Sequence, residues 1–535
     1  MSDPAGPESA PRKEPGFRLA ARPLAVLDIG SNSARVVVYA LDAAGTLQIL
    51  ATSRAALRLV RDVDEKHRLG GEATERALAA LADFRAIAVG AGASRIVAVA
   101  TAAMRDAEDG ALFTKRVRDE LGIDIEIIDG EQEADYGLAG GLYGVPADDG
   151  LLFDLGGGSL QVIRFRHRAK ERAWSFPLGS LRVSRAFLQR DPPSLAQVRR
   201  LVRHVKETLE PGGLGVLRRG EVLVGTGGTV RNLAKMDRRT RDYPITRIHG
   251  YELKRTRLHR LTGLLAVRSA RRRDALPGLS GDRADSIAGG ALVVDTLLAA
   301  VGASELWVSG QGVREGLAAR FLGADASAPP GVRERATLAL AARFGTWSAG
   351  KAERRRDVAT RLFDALEPRG EAEVRDALGH AAYLLDIGRA VDFFERHAHA
   401  ADAVLATELF GFAHRAIALV SAILRSAGSH ESGHKRYAPL LGKEDAGAIV
   451  RAGVLLALAD DIEERCPPGS ALELTTWSRG TVLDVAVSTL AGWRPRGIES
   501  CVQAAFSRTV RVHPGRAEGP TLAPEFRHGE NRFKP

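Results

Sequence analysis

Two segments of this chain repeat one pattern. LAVLDIGSNSARVVV (24–38) and LLFDLGGGSLQVIRF (151–165) each carry an apolar strand to an aspartate, turn through small residues and leave on a second apolar strand. Asp28 and Asp154 stand 126 positions apart, and Gly30 with Gly156 and Ser33 with Ser159 share that offset. A unit that recurs inside a β/α rhythm predicts two α/β lobes of related design, facing one another. Between the copies, Ala77, Leu78, Leu81, Phe84 and Ala88 fall at helical spacing, RIVAVA (95–100) reads as a buried strand, a helix over 111–121 stops at Gly122, and a further helix opens near Glu131.

The rhythm sets the boundaries: a disordered tail over 1–23, an N-terminal α/β lobe over 24–149, a second α/β lobe over 150–322, a helical region over 332–513 and a tail over 514–535. The linker GADASAPPG (323–331) precedes Ala-, Leu- and Arg-rich helical stretches such as 335–344 and 372–385, in which strand signals are few. At 535 residues the chain is long enough for about three or four domains. Hydrophobic residues at 45% and charged residues at 27% place it among ordinary globular proteins. The apolar run 291–302 is broken by Asp295 and is too short for a bilayer, which takes about 20 residues. The first 23 residues hold five prolines and seven charges without an apolar run, so no secretory signal is expected. Two cysteines, Cys466 and Cys501, exclude a disulfide framework, and a cytoplasmic setting with no membrane partner is expected.

A formal charge of +10 suits a polyanionic partner, yet aromatic residues at 5% and the lack of an RNP or finger motif give no platform for bases, so no nucleic acid is required. Turns of Gly and Ser point instead to phosphate. Gly30, Ser31, Asn32 and Ser33 in the first turn, and Gly156, Gly157, Gly158 and Ser159 in the second, offer backbone N–H groups unobstructed by side chains, with hydroxyls beside them. An aspartate repels phosphate directly, but Asp28 and Asp154 can hold Mg²⁺ that bridges to it. VLVGTGGTVRNLAKM (222–236) brings Gly227, Gly228 and Thr229 to a helix N-terminus, a ready anion site. A fourth turn, LWVSGQGVREGLAARF (306–321), reads equally well as close helix packing or as a ligand contact.

The ordered set DIGSNSARVVV, TAAMR, IIDGEQEADYGLAGG, FDLGGGSLQV, VGTGGTVRNLAKM, DRADSIAGGALV and VSGQGVREGL resembles the exopolyphosphatase and guanosine pentaphosphate phosphatase family of the acetate kinase, sugar kinase, Hsp70 and actin superfamily. The resemblance implies an α/β fold of duplicated ribonuclease H-like (actin-like ATPase) lobes followed by an all-helical HD-like C-terminal half. It also implies Mg²⁺-dependent hydrolysis of terminal phosphate from inorganic polyphosphate, or alternatively from guanosine pentaphosphate, by a homodimer. Residue by residue, it makes Glu133 of GEQEA the catalytic base and Asp154 a metal- or water-positioning carboxylate. Asp28 takes the equivalent metal place, Arg105 contacts phosphate, and Gly227, Gly228 and Thr229 form a third phosphate turn. An ordinary carboxylate pKa suffices for Glu133 on this reading.

Departures from the family pattern carry expectations of their own. Gln161 replaces a glutamate near the metal, and Asp135 and Asp109 stand in place of arginine and asparagine, which would make the field more negative; a weakened, sensor-like binder of polyphosphate or alarmone is the reading this leaves open. In the helical region the family's His-Asp pair falls at Leu385–Asp386, so the histidine is missing, and His397 and His399 lie two apart on a helix. A structural or interaction role is expected for that region.

Overall fold

A computed structural model describes residues 22–59, 63, 67–324, 329–429, 431–466, 474–479, 482–487 and 498–514; of the tails expected over 1–23 and 514–535, all but residues 22, 23 and 514 lie outside them. The first lobe is a five-stranded sheet. β1 (Leu24–Ile29) pairs antiparallel with β2 (Ser33–Leu41), which pairs antiparallel with β3 (Leu47–Ala56). On its other side β1 runs parallel to β4 (Arg95–Ala100), and β4 to β5 (Ile125–Ile127), giving the order β3-β2-β1-β4-β5. β1 is apolar on both faces because both are covered. Helix α1 (Gly71–Gly90) buries Ala77, Leu81 and Phe84 against one of them. The short α2 (Ala102–Asp106) and then α3 (Gly110–Leu121) follow β4, and α3 ends at Gly122 in the left-handed conformation. Helix α4 (Gly130–Gly141) opens on a capping box, in which the Asp129 side chain accepts from the Gln132 N–H and the Gln132 side chain accepts from Asp129 N–H.

The second sheet repeats the scheme. β6 (Gly150–Leu155) pairs antiparallel with β7 (Leu160–Arg166), and β7 with β8 (Ala169–Phe176); β9 (Val222–Thr226) lies parallel to β6 on its other side. β11 (Glu305–Val308) follows β9 in parallel, and β10 (Tyr251–Lys254) closes the edge. The order β8-β7-β6-β9-β11 reproduces that of the first sheet, with β10 added. Even the register is kept: Asp28 faces Arg35 across the first hairpin and Asp154 faces Gln161 across the second. Helix α5 (Leu195–Leu209) and an almost wholly apolar helix over 287–300 cover this sheet. Helix α6 (Gly228–Arg239) leaves the third glycine turn, α7 (Ile287–Ala300) is the buried helix just mentioned, and α8 (Val313–Leu322) leaves the fourth turn.

Beyond residue 328 come α9 (Pro329–Ala341), α10 (Ala349–Leu366), α11 (Ala372–Leu384), α12 (Arg396–Ala406), α13 (His414–Ser429) and α14 (Ala446–Glu463). Their core is continuous with the second face of the first sheet, where Leu24, Val26, Val37 and Tyr39 point. The region is not all-helical, as the sequence reading has it. β12 (Leu474–Arg479), β13 (Val482–Val487) and β14 (Thr509–Pro514) form a three-stranded sheet with α15 (Ile498–Phe506) against it. These strands are six residues each, short enough to be masked by the surrounding helical composition. No helix among the described residues is long and apolar enough to cross a membrane.

Candidate active site

The register of the two hairpins decides where the aspartates go. Each ends the inner strand of its sheet, and after each the turn closes in the same way: Gly30 N–H donates to Ser33 O at 3.2 Å, and Gly156 N–H to Ser159 O at 3.0 Å. The two turns then meet, since a Cβ on Gly157 would fall 3.3 Å from that of Asn32. Between them lies a cavity of about 140 Å³ walled by Asp28, Glu133 and Asp154, by Gly30, Ser31, Asn32 and Ser33, by Gly156, Gly157, Gly158 and Ser159, and by Gly227 and Gly228. Residues from four distant segments thus share one cleft.

Gly227 has φ of 97°, and a Cβ there would stand 2.6 Å from Asp154 Oδ1, so glycine lets the third turn close on the carboxylate. A Cβ on Gly228 would strike the Arg283 guanidinium at 2.3 Å, so this glycine makes room for a cation instead. Thr229 and Arg105 stand apart from the wall. Thr229 is buried with its side chain against Gly290 of α7, because the first turn of α6 packs there. Arg105 lies behind Glu133, donating to its Oε2 at 3.3 Å and to Ile128 O at 2.7 Å.

The wall also holds Gln161, which the sequence reading sets near the metal, and Arg231, Arg283 and Arg314, which it did not place there. Each arginine follows a glycine turn or a polar segment already singled out, and the signal was its position in the first turn of a helix: Arg231 on α6 and Arg314 on α8. Arg314 pairs with Asp28 at 3.2 Å. Beneath it, Glu315 accepts from Tyr39 Oη at 2.5 Å and from Gly312 N–H at 2.6 Å. Of the two readings of the fourth turn, close helix packing is borne out, and Gly312 and Arg314 also line the cavity. A Cβ on Gly316 would lie 2.0 Å from Tyr136 O, so α8 packs tightly on α4 while its first turn serves the cleft.

Burial sets the electrostatics. Asp28 and Asp154 are both raised above the ordinary carboxylate value by loss of solvent; Arg314 opposes this at Asp28, and Arg231 at Asp154, where the charge of Asp28 adds to the rise. Glu133 is pushed up to about 7, first by burial, against Arg105, and then by Asp154 and Asp28. The expectation of an ordinary pKa is therefore corrected: the helix N-terminus sinks this carboxylate among other acids. Arg231 is pulled down to about 10 by burial and by repulsion from Arg314. Asn32 is buried with both amide atoms lacking a hydrogen-bond partner among the described residues, and so is Nε2 of Gln161. Buried amides left in this state are costly unless a ligand meets them.

Asp109 and Asp135 do not burden the cleft. Asp109 accepts from Leu69 N–H at 2.8 Å, and Asp135 pairs with Lys170 at 2.6 Å.

Residues 37–324 match the Ppx/GppA phosphatase family, and residues 332–474 match Ppx/GppA phosphatase, domain III. The chain belongs to the Ppx/GppA phosphatase family. Among its relatives, Exopolyphosphatase 1 of Mycobacterium tuberculosis is 32% identical over 311 residues, covering 57% of this chain and 89% of the relative. Exopolyphosphatase 2 of the same organism is 30% identical over 315 residues, covering 56% and 98%. An exopolyphosphatase structure from Cytophaga hutchinsonii superposes with a TM-score of 0.53 at 26% identity, covering 57% of this chain and all 100% of that one. The Aquifex aeolicus family member gives 0.50 at 25% identity, over 56% and 97%. The shared portion of this Ppx/GppA chain is thus the pair of α/β lobes that builds the cleft, and the chain is a hydrolase of the phosphatase type.

Proposed function

We propose that this Ppx/GppA phosphatase is an exopolyphosphatase, which releases the terminal phosphate of inorganic polyphosphate by attack of water. The observation that carries this is the convergence of Asp28, Glu133 and Asp154 in one cavity with the Gly/Ser turns and three arginines. A phosphoanhydride terminus resists water because its oxygens are already negative, so positioning and charge neutralisation supply most of the catalysis. Arg231, Arg283 and Arg314 offset the charge of the bound phosphates, and backbone N–H groups of both turns receive the terminal oxygens. Asn32 Nδ2 and Gln161 Nε2, unpartnered in the wall, donate to phosphate as well. Gln161 in this role supplies a donor where the family pattern has an acceptor.

Asp28 and Asp154 fit a divalent cation. Two half-buried carboxylates, with Asp28 opposing ionisation of Asp154, form the kind of partial oxygen set that Mg²⁺ completes with water and phosphate oxygens. Such an ion, bound there, would neutralise charge on the reacting phosphates. Glu133, with a pKa near neutrality, orients the attacking water and takes its proton; the water oxygen bonds to the terminal phosphorus as the bond to the bridging oxygen breaks. The products are orthophosphate and a chain one unit shorter. Arg105 fixes the Glu133 carboxylate from behind.

The same reading takes the lobes as duplicated ribonuclease H-like units, the region after residue 331 as HD-like and non-catalytic, and the protein as a cytoplasmic homodimer. The cleft wall contains no aromatic ring among the described residues, so nothing there stacks a guanine, and inorganic polyphosphate is favoured over guanosine pentaphosphate. Phosphate release from long-chain polyphosphate and from guanosine pentaphosphate, each with Mg²⁺ and with a chelator, tests the proposal. Metal-dependent release from polyphosphate supports it; preference for the nucleotide reverses the substrate assignment, and tight binding without release makes the protein a sensor.

A further inference from the structure

The first turn of α8 has two sides. Gly312, Val313 and Arg314 line the active-site cavity, whereas Gln311 and Glu315 line a second cavity of about 320 Å³. That cavity lies where the first lobe meets the helical half. The hairpin of β2 and β3 gives it Thr46 and Gln48, α9 gives Ala336, Ala339 and Leu340, and the segment after α12 gives Glu408 and Phe410. Its volume falls at the lower end of small-molecule sites, which run about 300–1,000 Å³.

The lining combines apolar surfaces with unpartnered polar groups. Phe410 stands edge-on to Tyr143, ring centroids 5.0 Å apart, and is fixed against Gly144, where a Cβ would lie 2.6 Å from the ring. Ala336, Ala339 and Leu340 share one face of α9 at spacings of three and four. Glu315 is engaged by Tyr39 Oη and Gly312 N–H, and Arg343 donates to Gln48 Oε1 at 2.9 Å. The Gln311 amide and the Thr46 hydroxyl differ from these: the residues are only 7% and 6% exposed, and neither side chain makes a hydrogen bond among the described residues. A buried amide without a partner is costly, and a ligand that meets it removes that cost.

We propose that this cavity is an effector site for a purine nucleoside of the adenosine type, acting on the catalytic cleft through α8. A primary amide offers a donor beside an acceptor, which pairs bidentately with the N6/N7 edge of adenine. The base packs on Phe410, Tyr143 and the alanines of α9. Glu408 is exposed, forms no ion pair among the described residues and accepts from the ribose hydroxyls, a contact carboxylates make in other nucleoside sites. Arg343 is the cation in the lining, and Gln48 already engages it, so the nucleoside fits and a phosphate finds no partner. A base held by Gln311 steadies the turn that, three residues on, presents Arg314 to Asp28 and the cleft.

Calorimetric titration of the full chain with adenosine, in chelator and without polyphosphate, tests the site independently of the activity. A dissociation constant below about 100 μM is expected, with adenosine 5′-monophosphate about fivefold weaker. Gln311→Met keeps the length of the side chain but removes the amide, and is expected to weaken binding about tenfold. Glu408→Gln, at an exposed position where the fold tolerates change, is expected to weaken it about threefold. Saturating adenosine is expected to lower KM for polyphosphate about twofold in the wild type and to leave it unmoved in Gln311→Met. No binding of adenosine, binding that both variants retain in full, or tighter binding of the monophosphate overturns the site. Binding with KM unmoved in the wild type overturns the action through α8. Each of these results leaves the exopolyphosphatase reading standing, whereas protein that is inactive on polyphosphate yet binds adenosine through Gln311 loses that reading and keeps the site.

Discussion

Asp28, Glu133 and Asp154 in the interlobe cleft all lie above the ordinary carboxylate value, whereas in the helical core the carboxylates close around one arginine. Arg355 there is fully buried, with Asp386 at 2.8 Å, Asp460 at 2.7 Å and Glu463 at 3.6 Å. Arg389 braces Asp386 at 2.7 Å, and Arg396 braces Asp460 at 2.5 Å. Burial pushes Asp386 up, but Arg355 and Arg389 outweigh it and hold the group below its usual value; Asp460, more deeply desolvated, stays raised. The guanidinium of Arg355 is raised, because its three acids outweigh the cost of burial. In the helical core each of the three acids has an arginine within ion-pair distance, whereas in the cleft Asp28 and Glu133 have one and Asp154 has none among the described residues. A closed network stabilises a fold, and an open one needs a ligand to complete it.

The largest effect expected is catalytic. Glu133→Gln keeps the shape of the side chain but removes its basicity, and kcat on polyphosphate is expected to fall by about 10²–10⁴ with little change in KM. Full turnover in this variant would remove Glu133 from the mechanism. In the helical core, Arg355→Met removes the one cation that three buried acids share and is expected to cost about 3–5 kcal/mol in chemical denaturation, typical of breaking a buried ion pair from one side. A loss under 1 kcal/mol would show that the network is not closed as described.

Asp154→Asn sharpens the contrast from the other direction. Because burial raises Asp154, its ionised form opposes folding at neutral pH, so the variant is expected to unfold at a higher temperature in chelator while losing its metal-dependent activity. A lower midpoint would mean that Asp154 is held by its arginines as firmly as Asp386 is.

Glu133 also gives opposed pH trends. Its folded value of about 7 exceeds the reference value of 4.5, so between these pH values the folded state binds more protons than the unfolded one. Its contribution to stability is therefore complete below about 4.5 and is lost as pH rises to about 7, while the ionised fraction that serves as base grows over the same window. A divalent cation, if held by Asp28 and Asp154, would favour the ionised form, so kcat/KM with metal is expected to show an acid limb between those limits, absent in Glu133→Gln. The smallest effect concerns Asp135, paired outside the cleft: Asp135→Ala is expected to change kcat less than twofold and stability by less than about 0.5 kcal/mol.

Much of the cleft was legible because its signals are local. An apolar strand ending in Asp and a Gly/Ser turn is a chain-neighbour pattern, and its duplication is arithmetic on the sequence; the structure bears out both hairpins, β4 and α4 nearly residue for residue. Arg231, Arg283 and Arg314 were not legible as a group. They come from three segments, and nothing in their spacing says that all three side chains enter one cavity. The terminal strands β12 to β14 were missed for another reason: β13 and β14 pair in parallel across α15, which no local turn announces, and the antiparallel pair β12 and β13, separated in sequence by Gly480 and Thr481 alone, carried only that one glycine as a turn signal.

The sequence by itself determined the twin aspartate turns, the family and the place of Glu133 at a helix start, because strand, turn and cap are set by residues adjacent in the chain. Only the tertiary structure decided how acidic those groups are and which cations face them. Solvent exclusion and charge proximity arise between segments more than a hundred residues apart, as between Asp28, Asp154 and Arg314, and exist only once the two lobes close on each other.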